Sequence, residues 1–172
     1  HPNFFETEQV RGLPPDEVYE ELVLDLRKEA PALPPLPGFH DTVFQFYSGP
    51  HDKLLRAVCE VEPEWEPFFT KNSRVFCAMV NNEIASFCLV EDMGFHQLGG
   101  RTVRVGGPGC VGTVPAFRRK GIGAAMVRRV AALLRGEGFD LSYIHYTHVA
   151  PWYAAMGYQT VLRWSSTGFL NQ

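Results

Sequence analysis

Arg118-Arg119-Lys120-Gly121-Ile122-Gly123 gathers three cations and two glycines within a single short stretch, a combination suited to holding phosphate. Glycines at such a junction let the backbone fold tightly, so that successive N–H groups point into one concavity at a helix start. The three basic side chains at its mouth add charge for further phosphates. Gly107-Pro108-Gly109-Cys110-Val111-Gly112 formally fits a second phosphate pattern, the dinucleotide fingerprint G-x-G-x-x-G. That motif must follow a strand and open a helix directly. Here the last glycine leads into Thr113-Val114-Pro115, so the helix would begin too late, and the pattern is rejected.

The cationic loop needs a strand before it and a helix after it. Val111-Gly112-Thr113-Val114 reads as a strand end, stopped by Pro115, which has no N–H for the ladder. Ile122, Met126, Val130, Leu133 and Leu134 fall on one helical stripe, with Arg128, Arg129 and Arg135 mostly outside it. Gly136 and Gly138 stop that helix near Arg135, and a strand over Leu141–His145 follows. Gly157 reads as a C-cap, where a left-handed residue is wanted, and Tyr158–Leu162 resumes as strand.

Upstream, Thr42–Tyr47 reads as a strand, with helices over about Asp52–Val61 and Glu64–Phe69. Arg74–Val80 and Glu83–Val90 flank Asn81-Asn82, a hairpin signal because Asn tolerates positive φ. Another strand starts near Thr102, and its glycine-rich interruption at 106–109 is either a bulge or a turn between two short strands. Pro14-Pro15-Asp16 predicts a helix with Val18, Leu22 and Leu26 at four-residue spacing. Pro31, Pro34, Pro35 and Pro37 predict an extended connector.

The loop Arg118–Gly123, the segment Trp152-Tyr153 to Gly157-Tyr158 and the order of elements between them resemble the GNAT N-acetyltransferases. That family's signature is Gln/Arg-x-x-Gly-x-Gly/Ala. The likeness is specific over roughly residues 103–164, loose over 42–92 and absent over 1–40. It implies an α/β fold: a mixed, largely antiparallel twisted sheet flanked by helices and splayed at the acetyl-CoA site. It further implies that Arg118, Arg119, Lys120, Gly121, Ile122, Gly123 and Ala124 hold the pyrophosphate of acetyl-CoA. Main-chain groups of Val111, Gly112 and Thr113 would line the pantetheine arm and polarise the acetyl carbonyl.

By the same resemblance Tyr153 takes the position of the general acid beside the CoA sulfur, with Ser142 or Thr147 as alternative donors. Family members that carry a Glu or a pair of His on the strand before the loop do so at positions matching Gly107 and Gly109, which cannot take a proton. The base must come from elsewhere. His145 is the first candidate, since an imidazole titrates near neutrality. His148, the run Glu60, Glu62, Glu64 and Glu66, and Glu91 with Asp92 stay open, as does a cation pocket walled by Trp65, Phe68 and Phe69. Cys110 adjoins the acetyl site, but direct transfer is preferred over an acyl-enzyme on it.

A chain of 172 residues, 45% hydrophobic, suffices for one well-cored domain. The expected division is an N-terminal helical extension over 1–40 and a single acetyltransferase domain over 41–172. A net charge of −3 argues against nucleic acid or an anionic membrane as partner. No apolar run approaches the ~20 residues of a membrane span, and no signal-peptide pattern is seen; His1-Pro2 reads as a processing remnant. Cys59, Cys77, Cys88 and Cys110 lack metal-site spacing, so no metal is expected; they read as buried free thiols suited to a cytoplasmic protein, over a Cys77–Cys88 bridge. The expected function is transfer of an acetyl group from acetyl-CoA to the primary amine of a small molecule or peptide, with a homodimer left open. The alternative is a non-catalytic acyl-CoA-binding module of the same fold.

Overall fold

The computed structural model describes residues 13–14, 16–30, 32 and 40–170. Residues 25–142 form one compact unit, and the described residues up to Leu24 form a second with those from Tyr143 onward. Pro31, Pro34, Pro35 and Pro37 of the expected connector lie outside the described residues.

In the first unit, β2 (Thr42–Phe46) pairs antiparallel with β3 (Val75–Val80), and β3 with β4 (Glu83–Leu98). Asn81 and Asn82, at φ 48° and 64°, make the tight turn between β3 and β4, as the Asn-Asn pair predicts. β5 (Arg101–Thr113) pairs antiparallel with β4, and β6 (Leu141–Thr147) starts parallel to β5 at Val105↔Leu141 and Gly106↔Ser142. From Gly107 to Thr113 the β5 ladder runs to β4 alone among the described residues.

Two helices cover the two faces of this sheet. α1 (His51–Val61) buries Leu54, Ala57 and Val58 against Val75, Cys77, Met79, Phe87 and Leu89. α2 (Ile122–Gly136) turns Ile122 to Ala78 and Ala85, the alternate residues of the same strands. Val127, Val130 and Leu134 continue its buried stripe, and each is fully enclosed. Full burial of such side chains contributes about 1.5–3 kcal/mol each, so the stripe rather than helix propensity holds α2 in place. α2 ends in a Schellman turn: Phe139 N–H donates to Leu134 O, Gly138 N–H to Arg135 O, and Gly138 sits at φ 79°.

β4 and β5 continue as a hairpin arm to a two-residue turn at Gly99 and Gly100, with Phe95 and Leu98 exposed. Residues 91–98 are thus strand. β5 is also continuous across Gly106–Gly109; its bulge falls instead at Cys110-Val111. Phe87 pairs with Gly112 and Leu89 with Gly109, so two residues of β5 face Cys88 alone, and Cys110 takes φ 46°.

In the second unit, β1 (Tyr19–Asp25) pairs antiparallel with β7 (Gln159–Ser165), and β7 with the short β8 (Gly168–Phe169). The helix expected after Pro14-Pro15-Asp16 is thus a strand. A register shift between Glu21 and Leu22 explains the misreading, because it moves the buried parity from Tyr19 and Glu21 to Leu22 and Leu24. The resulting apolar spacing suits a helix period as well as this strand, whose partner β7 carries the extra residue Val161. Tyr19 and Trp164 form the buried centre, with Leu13 and Leu162 packed on it. α3 (Ala150–Ala154) follows β6 and packs on β7.

Candidate active site

The loop after β5 has the geometry its composition predicts. Arg119 and Gly121 both take left-handed conformations, φ 61° and 76°, around Lys120. Alternating handedness of this kind turns consecutive amides inward and makes an anion nest. The first helical bond of α2 runs from Ala125 N–H to Gly121 O, so the amides before it belong to the open helix start. Arg118 Nε donates to Thr113 O at 2.9 Å, tying the loop to the end of β5. Lys120 Nζ folds back onto Ala116 O at 3.2 Å and lies over the Phe117 ring. Arg119 is exposed at the mouth of the nest.

The strand before the loop is shaped by close approach. Ser86 Oγ donates to Gly112 O at 2.6 Å and lies 3.0 Å from Thr113 Oγ1, which fixes the strand just past the Cys110 bulge. Gly109 leaves room for a neighbour, because a β-carbon there would stand 2.8 Å from Glu91 Oε2. The missing side chain on β5 is thus replaced in space by a carboxylate from β4. This location was not visible in the sequence, where Glu91 was one acid among several.

Cys110 beside it is pushed up to about 12 by burial and by the Glu91 charge. A thiol held so far from ionisation is a poor nucleophile. Cys77 is likewise pushed up to about 12 by burial, and Cys88 well above the ordinary thiol range. All four cysteines are free, so the Cys77–Cys88 bridge does not form.

In the second unit α3 carries Tyr153, which is buried, with its ring edge-on to Trp152 and Tyr158. A second Schellman turn holds it: Tyr158 N–H donates to Tyr153 O, Gly157 N–H to Ala154 O, and Gly157 takes φ 95°. Gly157 takes the left-handed position expected of it, but the helix itself ends at Ala154 with Ala155 as its C-cap.

His145 on β6 belongs to a network that sequence reasoning missed. Its Nδ1 lies 2.8 Å from Glu21 Oε2, and the same oxygen accepts from Tyr143 OH at 2.5 Å and from Tyr146 N–H at 3.3 Å. Glu21 Oε1 accepts from Trp164 Nε1 at 2.6 Å. Burial pushes the Glu21 carboxyl up, but the donors His145, Tyr143 and Trp164 and the His145 charge outweigh it and hold the group below its usual range. Tyr143 is pushed above the ordinary phenol value by burial and by the same carboxylate. Tyr146, at φ 61°, breaks the strand alternation so that His145 and Tyr146 are both exposed, and its ring stacks on Tyr19 at 4.5 Å. The sequence held no signal that singled out Glu21, which stands beside Glu20 in the run Tyr19 to Leu24.

Apart from the Asn81-Asn82 turn, the non-glycine residues at positive φ among those described are Cys110, Arg119 and Tyr146. Such residues cost of order 1–3 kcal/mol each and persist where a site demands them. Here they mark the bulge, the nest and the neighbour of His145. The aromatic-acid run behaves otherwise: Phe69 is in the core, Phe68 points out, and Glu60, Glu64 and Glu66 are exposed. Among the described residues no group of His, Cys, Asp and Glu gathers as a metal site, and no helix is long and apolar enough to cross a membrane.

The first unit thus combines a mixed sheet with helices on its faces, a bulged strand and a turn of alternating handedness that opens the next helix. The chain belongs to the GNAT acetyltransferases: residues 71–160 match the Acetyltransferase (GNAT) domain. No curated protein matches. Among solved structures it is similar to the glucosamine N-acetyltransferase region of a fungal multi-domain GH3 β-N-acetylglucosaminidase, with TM-score 0.69 and 18% identity over 89% of this chain and 21% of that one. It is also similar to GCN5-related N-acetyltransferases from Sphaerobacter thermophilus (TM-score 0.60, 16% identity, 90% of this chain and 52% of that one) and Kribbella flavida (0.53, 15%, 87% and 56%). The chain therefore spans about a fifth of the first protein and about half of the other two, and at these identities the likeness speaks for the fold.

Proposed function

We propose that this protein transfers an acetyl group from acetyl-CoA to a primary amine by direct attack of the amine on the thioester. The observation that carries the reading is the nest at Arg119–Gly121, opening α2 directly after the bulged end of β5. The nest amides with Arg119 and Lys120 would hold the pyrophosphate, and the edge of β5 from Gly107 to Thr113 would pair with the pantetheine amides. A main-chain N–H near Val111-Gly112 would polarise the acetyl carbonyl.

The proton balance uses two side chains. The neutral amine forms the C–N bond, and its proton passes to His145. The C–S bond breaks, and the leaving thiolate takes the Tyr153 proton, which solvent restores. The four free thiols suit a reducing cytoplasm as the setting.

Release of free CoA thiol from acetyl-CoA tests this, with glucosamine, an amino acid, an aminoglycoside and a short peptide as acceptors. Amine-dependent release supports transfer. Calorimetric binding of acetyl-CoA without release for any amine would favour the non-catalytic module, the reading that the absent side chains at Gly107 and Gly109 favour.

A further inference from the structure

We propose that Glu21 is a positioning residue for acetyl transfer: its buried carboxylate fixes the His145 ring with Nδ1 protonated and leaves Nε2 as the nitrogen that receives the amine proton. This rests on the proposed role of His145 as base. The argument starts from what each atom can do. An ionised carboxylate only accepts hydrogen bonds, so the 2.8 Å contact requires the hydrogen on Nδ1. The neutral ring then carries its lone pair on Nε2. When that nitrogen takes a proton, the imidazolium faces a charge of opposite sign at hydrogen-bond distance.

The network is built to hold the carboxylate still. The Glu21 side chain is 5% exposed while that of His145 is 53% exposed. Both oxygens are engaged, Oε1 by Trp164 and Oε2 by Tyr143, His145 and the Tyr146 N–H. One end of the pair is therefore fixed inside the fold and the other reaches the surface, which is the arrangement of a supported base. Simple filling of a core position would not need a carboxylate, since a buried charge costs several kcal/mol before its partners compensate. Among the described residues, the titratable groups beside the ring include Glu21 from β1 and Tyr143 and Tyr146 from β6, with Tyr19 next to Tyr146 and to His148.

Nitrogen-15 imidazole spectra of the full chain test the hold without any acceptor. The wild-type protein should show His145 as the Nδ1–H tautomer, and an Nε2–H tautomer overturns the proposal even if no variant folds. In Glu21→Gln the His145 titration midpoint should move to lower pH, and an unmoved midpoint overturns it. With the best acceptor of the amine panel, Glu21→Gln should lower turnover about 10-fold or more, a part of the ~10²–10⁴-fold a positioned base contributes. In a His145→Gln background the same substitution should cost nothing further. An equal loss in both backgrounds means Glu21 only supports the fold, and overturns the proposal. If the tautomer is as expected but His145→Gln keeps full turnover, the assignment of His145 as base fails, and the positioning role falls with it.

Discussion

Gly112 faces the ring of Phe87 across the β4–β5 ladder so closely that a β-carbon on it would stand 2.8 Å from Cε2 and 3.0 Å from Cε1. Phe87 is fully buried between α1 and the sheet, so the ring has nowhere to go. Gly112→Ala should therefore lose about 1–3 kcal/mol, the usual cost of overpacking. Gly109→Ala meets only the end of the Glu91 side chain and should cost less than about 1 kcal/mol. Urea unfolding of the two variants checks the contrast, and equal losses would mean that the bulge, not the ring, sets the constraint.

The nest predicts how coenzyme binding fails. Gly121→Val puts a β-branched residue at φ 76°, and Gly123→Val adds bulk at a buried position in the first turn of α2. Both should weaken CoA binding by calorimetry while the circular dichroism of the fold persists. Unchanged affinity in a folded variant would remove the pyrophosphate from this loop.

Tyr153→Phe should keep acetyl-CoA affinity and lower turnover by ~10²–10⁴-fold. The ring contacts with Trp152 and Tyr158 survive the loss of the hydroxyl. A wild-type rate would make Tyr153 structural and leave protonation of the thiolate to another donor.

Stability should fall at both ends of the pH scale for different reasons. Glu21 is held below its ordinary value of 4.5, so the folded state binds that proton less readily than the unfolded chain does. Its contribution is complete above pH 4.5 and drains away as the pH drops through the folded value. Tyr19 and Tyr143 are raised above the ordinary 10.0, Tyr19 by burial and its bond to Glu17, Tyr143 by burial and Glu21. Their unfolded phenols ionise first, and stability falls as the pH climbs past 10. The difference in urea midpoint between wild type and Glu21→Gln should be widest above pH 4.5 and shrink below it; a constant difference would mean the carboxylate charge is irrelevant to folding.

How much of this could be read without coordinates depends on what each residue type can signal locally. The nest and α2 were legible because glycines and an apolar stripe state their own geometry. Asn81-Asn82 was legible for the same reason. The Cys110 bulge was not, since a cysteine at positive φ carries no mark in the sequence and the adjacent glycines drew the expectation to 106–109. β1 was mistaken for a helix because its buried positions change parity between Glu21 and Leu22, giving the apolar residues a spacing that both periods allow. Glu21 was invisible as a partner of His145, since 124 residues of chain separate them and only tertiary pairing joins them. Acetyl transfer could be inferred from the loop; the pairing of Glu21 with His145 could not.

The hairpin arm ends at Gly99 and Gly100, where a β-carbon would meet nothing within 4 Å. Ladder pairs continue up to Leu98↔Arg101, so the strands are secured before the chain turns. Extra residues spliced between the two glycines would pay only loop-closure entropy, roughly 0.6 kcal/mol for each doubling of length. The tip is accordingly a graft point for a fluorophore or affinity handle, giving an optical report on ligand capture from outside the packed core.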